Sequence, residues 1–259
     1  MHLSANLSMM FFEVPMVERL TLAGEAGFAS VEIQFPEDAT VPALARASAE
    51  LGLPVTLINV PRGVGDEVGM AALPGRQDDF RAAMETCAAQ ARTLRVAKTN
   101  ILSGRPQAGA DRETCLACLT DNLRRAGDLF GAIDVKVMVE PVNPVDVPGF
   151  FLTSLDEALE ALERAAHPNL FLQFDFYHMA ITEPDLVAAI RRAGPRIGHV
   201  QFADTPGRHE PGTGTIDFAA AMAALKETGY QGAVSAEYRP KGETLAGLGW
   251  MKDFREMME

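Results

Sequence analysis

Basic residues are scarce in this chain of 259 amino acids. Lys and Arg number 23 against 35 Asp and Glu, giving a net charge of −12 and a pI near 4.9. A protein that binds nucleic acid through its phosphates needs a Lys/Arg surface, so that class is excluded. A local positive site for a small anion is not. Cysteine is nearly absent: Cys87, Cys115 and Cys118 are an odd, low count that rules out a disulfide framework and suits a reducing compartment. Cys115-Leu-Ala-Cys118 has the spacing of half a zinc or redox motif, but no second pair exists and the stretch reads as helix. Long hydrophobic runs are missing as well. None approaches the ~20 apolar residues that cross a bilayer. The first twenty residues lack a basic start and carry Glu13, Pro15 and Glu18. We therefore expect no signal peptide, no membrane partner and a cytoplasmic protein.

What is present is an alternation of short apolar runs with longer amphipathic segments. Strands are expected at Leu3–Leu7, Ser30–Ile33, Pro54–Ile58, Val96–Leu102, Val135–Val139, Leu170–Phe174, Ile197–Phe202 and Ala233–Ala236. Helices are expected at Pro15–Ala26, Val41–Leu51, Arg76–Arg92, Asp111–Phe130, Ser154–Ala165, Pro184–Ala193, Phe218–Glu227 and Leu245–Met257. Asp111 and Ser154 stand where N-caps belong, Ser154 with Glu157 three residues on. The loop from Pro61 to Gly75 is long enough to expect it to be functional or mobile. The strands are continuous apolar runs, as in sheets covered on both faces, and helical connections force parallel pairing. Eight such units of about 32 residues each make a closed (β/α)8 TIM barrel in one domain, 1–259. A doubly wound sheet would want a Gly-rich turn after the first strand, and Asn6-Leu7-Ser8-Met9 has none.

In such a barrel the carboxyl ends of the strands carry the active site. Strands five to eight bring Glu140, Asp175, Gln201 and Glu237 to that end, at spacings of 35, 26 and 36 residues. Three carboxylates and an amide oxygen would repel one another without a cation. An all-oxygen set favours a hard divalent ion, Mg2+ or Mn2+. The loop after strand seven, Pro206-Gly-Arg-His-Glu-Pro-Gly-Thr-Gly214, adds the guanidinium of Arg208, which can grip a carboxylate with two hydrogen bonds.

That loop, together with Leu22–Ile33, Glu140–Leu152, Gln173–Met179, His199–Asp204 and Gly232–Tyr238, resembles the hydroxypyruvate isomerase family within the xylose isomerase-like TIM barrels. The resemblance covers nearly the whole chain, and the 206–214 loop is its most specific part. It implies a divalent metal held by Glu140, Asp175, Gln201 and Glu237, with Glu140 and Glu237 as the acid/base pair. Gln201 stands where many relatives have His. It also implies that His178 and Arg208 contact substrate oxygens, with a minor role for Asp146.

The expected substrate is a small anionic keto acid: hydroxypyruvate, converted to tartronate semialdehyde, or else 2-oxo-tetronate. Moving a proton between adjacent carbons passes through an enediolate, whose charge a metal and two flanking carboxylates suit. An endonuclease on the same barrel would want more than five histidines and a basic groove. A lyase or a non-catalytic binding barrel would share the metal set. Lys98 is a lesser candidate for the substrate carboxylate. His199 reads either as a support for a metal ligand or as a core histidine. His209 and Glu210 read as loop stiffeners, and Phe11, Phe12 and Trp250 as pocket cover or packing. Barrels of this group often associate, so a homo-oligomer is possible.

Overall fold

A computed structural model describes residues 1–259. Eight strands close into a barrel in sequence order, every pair parallel. They are β1 (His2–Asn6), β2 (Ser30–Ile33), β3 (Val55–Asn59), β4 (Lys98–Ile101), β5 (Lys136–Val139), β6 (Leu170–Asp175), β7 (Ile197–Phe202) and β8 (Ala233–Ala236). The helices outside are α1 (Met16–Glu25), α2 (Val41–Leu51), α3 (Gln77–Leu94), α4 (Arg112–Gly131), α5 (Leu155–Ala165), α6 (Phe176–Thr182), α7 (Leu186–Ala193), α8 (Phe218–Glu227) and α9 (Met251–Met258). The expected barrel is therefore present. No helix is long and apolar enough to cross a membrane.

Local chemistry explains most boundaries. Asp111 caps α4 by accepting from the Thr114 N–H at 2.8 Å. Ser154 caps α5 through the Glu157 N–H, but Glu157 reaches back to the Thr153 N–H, one residue beyond the expected box. Gly52, with φ +61°, ends α2 in the left-handed conformation that glycine adopts without strain. No element was expected between β6 and Pro184, yet α6 begins there at once, because Asp175 caps it by accepting from Tyr177 N–H. The tail is a 3-10 turn, Leu245–Trp250, running into α9 rather than one helix.

The strands' outward residues meet the helices in one apolar core. The interior is polar, with Ser4, Asn6, Glu32, Asn100, Gln173, His199 and Gln201 all buried. The ladder slips register twice, between Val31 and Glu32 and between Leu172 and Gln173, each just before buried polar residues. Such irregularities re-aim side chains beside sites. Cys87, Cys115 and Cys118 are free and buried.

An aromatic cluster clamps the C-terminal segment to the barrel. Phe254 stacks on Phe202 at 4.5 Å between ring centroids, with Phe218 at 5.1 Å and Trp250 at 5.0 Å. Trp250 Nε1 donates to the Tyr238 hydroxyl at 3.1 Å. Trp250 and Phe11 are thus packing residues, and Phe12 lies exposed beside Arg19. Replacing Phe254 by Ala removes this clamp and should destabilise the fold by about 3–5 kcal/mol. Denaturant unfolding tests it; a loss under ~1 kcal/mol would mean the segment is not held this way.

Candidate active site

The carboxyl ends of the strands surround a cavity of about 210 Å³ whose lining includes Glu140, Glu237, His178 and Arg208. Four of the six expected residues thus face one small space. Glu140 and Glu237 come directly after β5 and β8, and His178 lies in the first turn of α6. Asp175 and Gln201 are buried outside the cavity lining. Asp175 nonetheless touches the group: its Oδ2 lies 3.6 Å from His178 Nε2 and 3.4 Å from Arg208 Nη2.

Burial sets the electrostatics. Loss of water, then the charge of Asp175, pushes Glu140 up to about 7. Burial also lifts Asp175 to about 6, with Arg208 and the Tyr177 N–H holding it back. Glu237 rises well above the usual carboxylate range for the same first reason, again opposed by Arg208. Arg208 is the counter-charge. Burial works against its proton, and Glu237, Asp175 and Glu140 outweigh that. Its Nη2 is 3.4 Å from both Asp175 and Glu237 carboxylates, and its guanidinium lies 5.0 Å from the Tyr177 ring centre. Asp146, outside the cavity lining, accepts from the Tyr177 hydroxyl at 3.2 Å and so steadies that ring.

Arg208 is held in a left-handed backbone conformation, φ +57°, a strained state for a side chain of this size. The surrounding loop over-determines it. Asp204 accepts from the N–H groups of Thr205, Gly212, Gly214 and Ile216 at 2.8–3.1 Å. A Cβ on Gly214 would sit 2.2 Å from the Thr205 carbonyl, so only glycine closes this loop. Glu210 accepts from the Lys241 N–H, and His209 Nδ1 donates to the Arg239 carbonyl. Asp204, His209 and Glu210 therefore build the loop that aims Arg208.

Donor atoms of Glu140, Asp175 and His178 lie within 4.8 Å of one another and could hold a metal ion. His178 in this group differs from the sequence expectation, which gave it to substrate. Its protonation argues for the latter. Asn143 Oδ1 accepts from the Val145 and Asp146 N–H groups, which turns its Nδ2 toward His178 Nδ1 at 2.7 Å. Burial, with Arg208 nearby, keeps the ring neutral. Nδ1 being an acceptor, the single proton sits on Nε2, making that atom a donor rather than a ligand. Glu237 adds a carboxylate: Gln34 Nε2 donates to Oε1, while Oε2 is buried without a partner. Asn100 donates to Glu140 Oε2 at 2.7 Å. Three buried carboxylates, one with an unpartnered oxygen, fit a hard divalent cation.

Gln201 is bound differently from the other expected ligands. Its Nε2 donates to Glu32 Oε1 and its Oε1 accepts from Gln173 Nε2, both at 2.7 Å. Glu32 also accepts from Asn6 Nδ2 at 2.8 Å and from His199 Nε2 at 2.6 Å. Burial opposes its charge, and His199, Gln201 and Asn6 outweigh it, so Glu32 stays ionised. His199 is thus linked to Gln201 through Glu32 rather than bonded to backbone. Lys98 opens β4, at the barrel end opposite the cavity, and its Nζ faces His199 Nδ1 at 3.4 Å. Its expected substrate role is therefore wrong: it sits at the start of the strand, not the end. Glu32, Gln34, Asn100 and Gln173 were given no role from sequence. An acid inside the apolar run Val31–Ile33 was the one available signal.

Comparison with known proteins follows this geometry. The family model for the xylose isomerase-like TIM barrel matches residues 20–254. Hydroxypyruvate isomerase of Escherichia coli is 38% identical over 254 residues, spanning 97% of this chain and 98% of that protein. The 2-oxo-tetronate isomerase of Cupriavidus necator is 37% identical over 254 residues, spanning 97% of each. A crystal structure of a Brucella melitensis protein named AP endonuclease, family 2, matches with a TM-score of 0.94 at 37% identity, over 98% of this chain and 99% of that one.

Metal binding must displace protons from these carboxylates. With Glu140 near 7 and Asp175 near 6, both are largely protonated below about pH 5 and free above about pH 8. Mn2+ affinity should therefore rise through that window, by about tenfold per pH unit for each proton displaced. Calorimetric titration at several pH values checks this; a flat profile would exclude these carboxylates as ligands.

Proposed function

The chain belongs to the xylose isomerase-like TIM barrel family and is a keto-acid isomerase of the hydroxypyruvate isomerase kind, and on that footing we propose that it interconverts hydroxypyruvate and tartronate semialdehyde with a divalent metal, Mg2+ or Mn2+. One observation carries this reading. Glu140 and Glu237, on strands three steps apart, border the same small cavity, where burial raises both above the ordinary carboxylate range, Glu140 to about 7. A general base works best when its pKa lies near the operating pH.

The reaction moves one proton from the hydroxymethyl carbon to the adjacent keto carbon, while the hydroxyl proton passes from one oxygen to the other. In this reading one of the two glutamates removes the carbon-bound proton and the other returns a proton to its neighbour. The intervening enediolate places negative charge on two oxygens. His178 offers its Nε2 proton to one of them, and Arg208 supplies a fixed positive charge that needs no reorganisation. Its Nη1 is outside the contacts to Asp175 and Glu237, leaving an N–H edge for substrate. A divalent ion held by Glu140, Asp175, Gln201 and Glu237 would supply Lewis-acid polarisation of the substrate oxygens. The cavity of about 210 Å³ suits an acid of three or four carbons.

The same residues would serve 2-oxo-tetronate, one carbon longer, and a relative bears that name. An action on DNA would fit the Brucella protein's name, but a net charge of −12 offers no basic track for phosphates.

Turnover of both acids with Mg2+ or Mn2+ decides between them, and inactivity on both would remove the isomerase reading. Glu140→Gln and Glu237→Gln should each lower kcat by roughly 10²–10⁴-fold. Retained activity in either would contradict its acid/base role.

A further inference from the structure

We propose that Arg62, on the loop after β3, is the residue that receives the carboxylate of the substrate and so sets the preference for acids over neutral sugars. This rests on the keto-acid reading above.

Charge balance in the cavity gives the first argument. Glu140, Asp175 and Glu237 less the charge of Arg208 leave two negative charges, which a divalent ion cancels. A monoanionic substrate then enters a site with no net positive charge to offset its own, and Asp146 beside Tyr177 makes the surroundings more negative. A further cation is needed. Arg62 is the other basic residue lining the cavity, and it takes part in none of the chain's ion pairs.

The loop around Arg62 is arranged to leave it so. Glu67, the acid that could neutralise it, instead pairs with Arg76 and accepts from the Val64 N–H at 2.7 Å. The Gly69 N–H donates to the Arg62 carbonyl at 2.9 Å, which ties the two ends of the turn together. The guanidinium lies 5.5 Å from the centre of the Phe35 ring, a face that orients it without consuming its N–H groups. The same cavity wall carries the apolar side chains of Val68, Leu102, Val147 and Phe150, which offer a carboxylate no competing hydrogen bonds. A planar fork matches a carboxylate with two hydrogen bonds. Arg208, whose Nη2 already serves two acids, is left to the reacting oxygens.

The test uses the Mn2+-loaded protein and D-glycerate, an unreactive three-carbon hydroxy acid, measured by calorimetry. Arg62→Ala should weaken glycerate roughly 10–100-fold while Mn2+ affinity is unchanged. Arg62→Lys should recover part of the loss. With hydroxypyruvate the loss should fall on KM rather than on kcat. Unchanged glycerate affinity in Arg62→Ala would overturn the proposal, as would a parallel loss of Mn2+ affinity. If glycerate binding depends on Arg62 but neither keto acid is turned over by the wild type, the clamp stands and the isomerase reading falls.

Discussion

Three carboxylates held out of water at one end of a barrel are the constraint on which the rest of the structure depends. Each such group loses solvation, and each adjacent pair repels. Nothing in the apolar core offsets this. The offset comes from groups brought in for the purpose: the guanidinium of Arg208, the amides of Asn100 and Gln34, and the Tyr177 N–H. The Arg208 guanidinium must reach Asp175 and Glu237 together, which fixes its backbone in an uncommon region. That strain in turn requires a loop with little freedom, and the four N–H bonds to Asp204 supply the rigidity. The oddities of the 203–214 segment are therefore consequences of burying acid, rather than separate features.

A second polar layer follows from the first. Gln201 can present its amide in two ways, and only a neighbour that cannot donate removes the ambiguity. Glu32, ionised, is that neighbour, and its ionisation depends on His199 and Asn6. The chain Lys98–His199–Glu32–Gln201 thus carries orientation from the closed end of the barrel toward the site end. A polar barrel interior costs hydrophobic stabilisation there, and the outer core of strands and helices has to supply the stability. The aromatic clamp of Phe202, Phe218, Trp250 and Phe254 belongs to that outer layer.

The fold was legible because strand and helix periods alternate so regularly that only parallel crossovers satisfy them. The acids at strand ends were legible for the same reason: once eight strands are counted, position along a strand fixes position in the barrel. What failed were matters of direction. Lys98 was misjudged because being near a strand was not weighed against which end of it: Lys98 opens β4, and the site lies beyond the other end. The helix Phe176–Thr182 was hidden because its apolar residues continue the strand pattern and its cap is itself a site residue. Glu32 and Gln34 gave little signal, since a polar residue in a strand shows its partners only after the barrel closes. His178 needed the tautomer, which depends on how Asn143 is held, and no linear pattern contains that.

The same reasoning separates the two arginines of the cavity, which sequence alone could not. Arg208 lies in a conspicuous motif and Arg62 in an undistinguished Gly-rich loop, yet conspicuousness tracks rigidity more than availability. A guanidinium already shared between two carboxylates has its field spent within the protein, and a new anion gains from it only what those acids leave. A guanidinium seated on an aromatic face, with its nearest acid diverted to Arg76, retains its charge for whatever enters. In a site whose permanent charges a divalent ion would cancel, selectivity for an acid has to come from the unpaired cation at the wall. The division of labour then follows from electrostatics: the buried arginine keeps the acids in place, and the exposed one chooses the substrate.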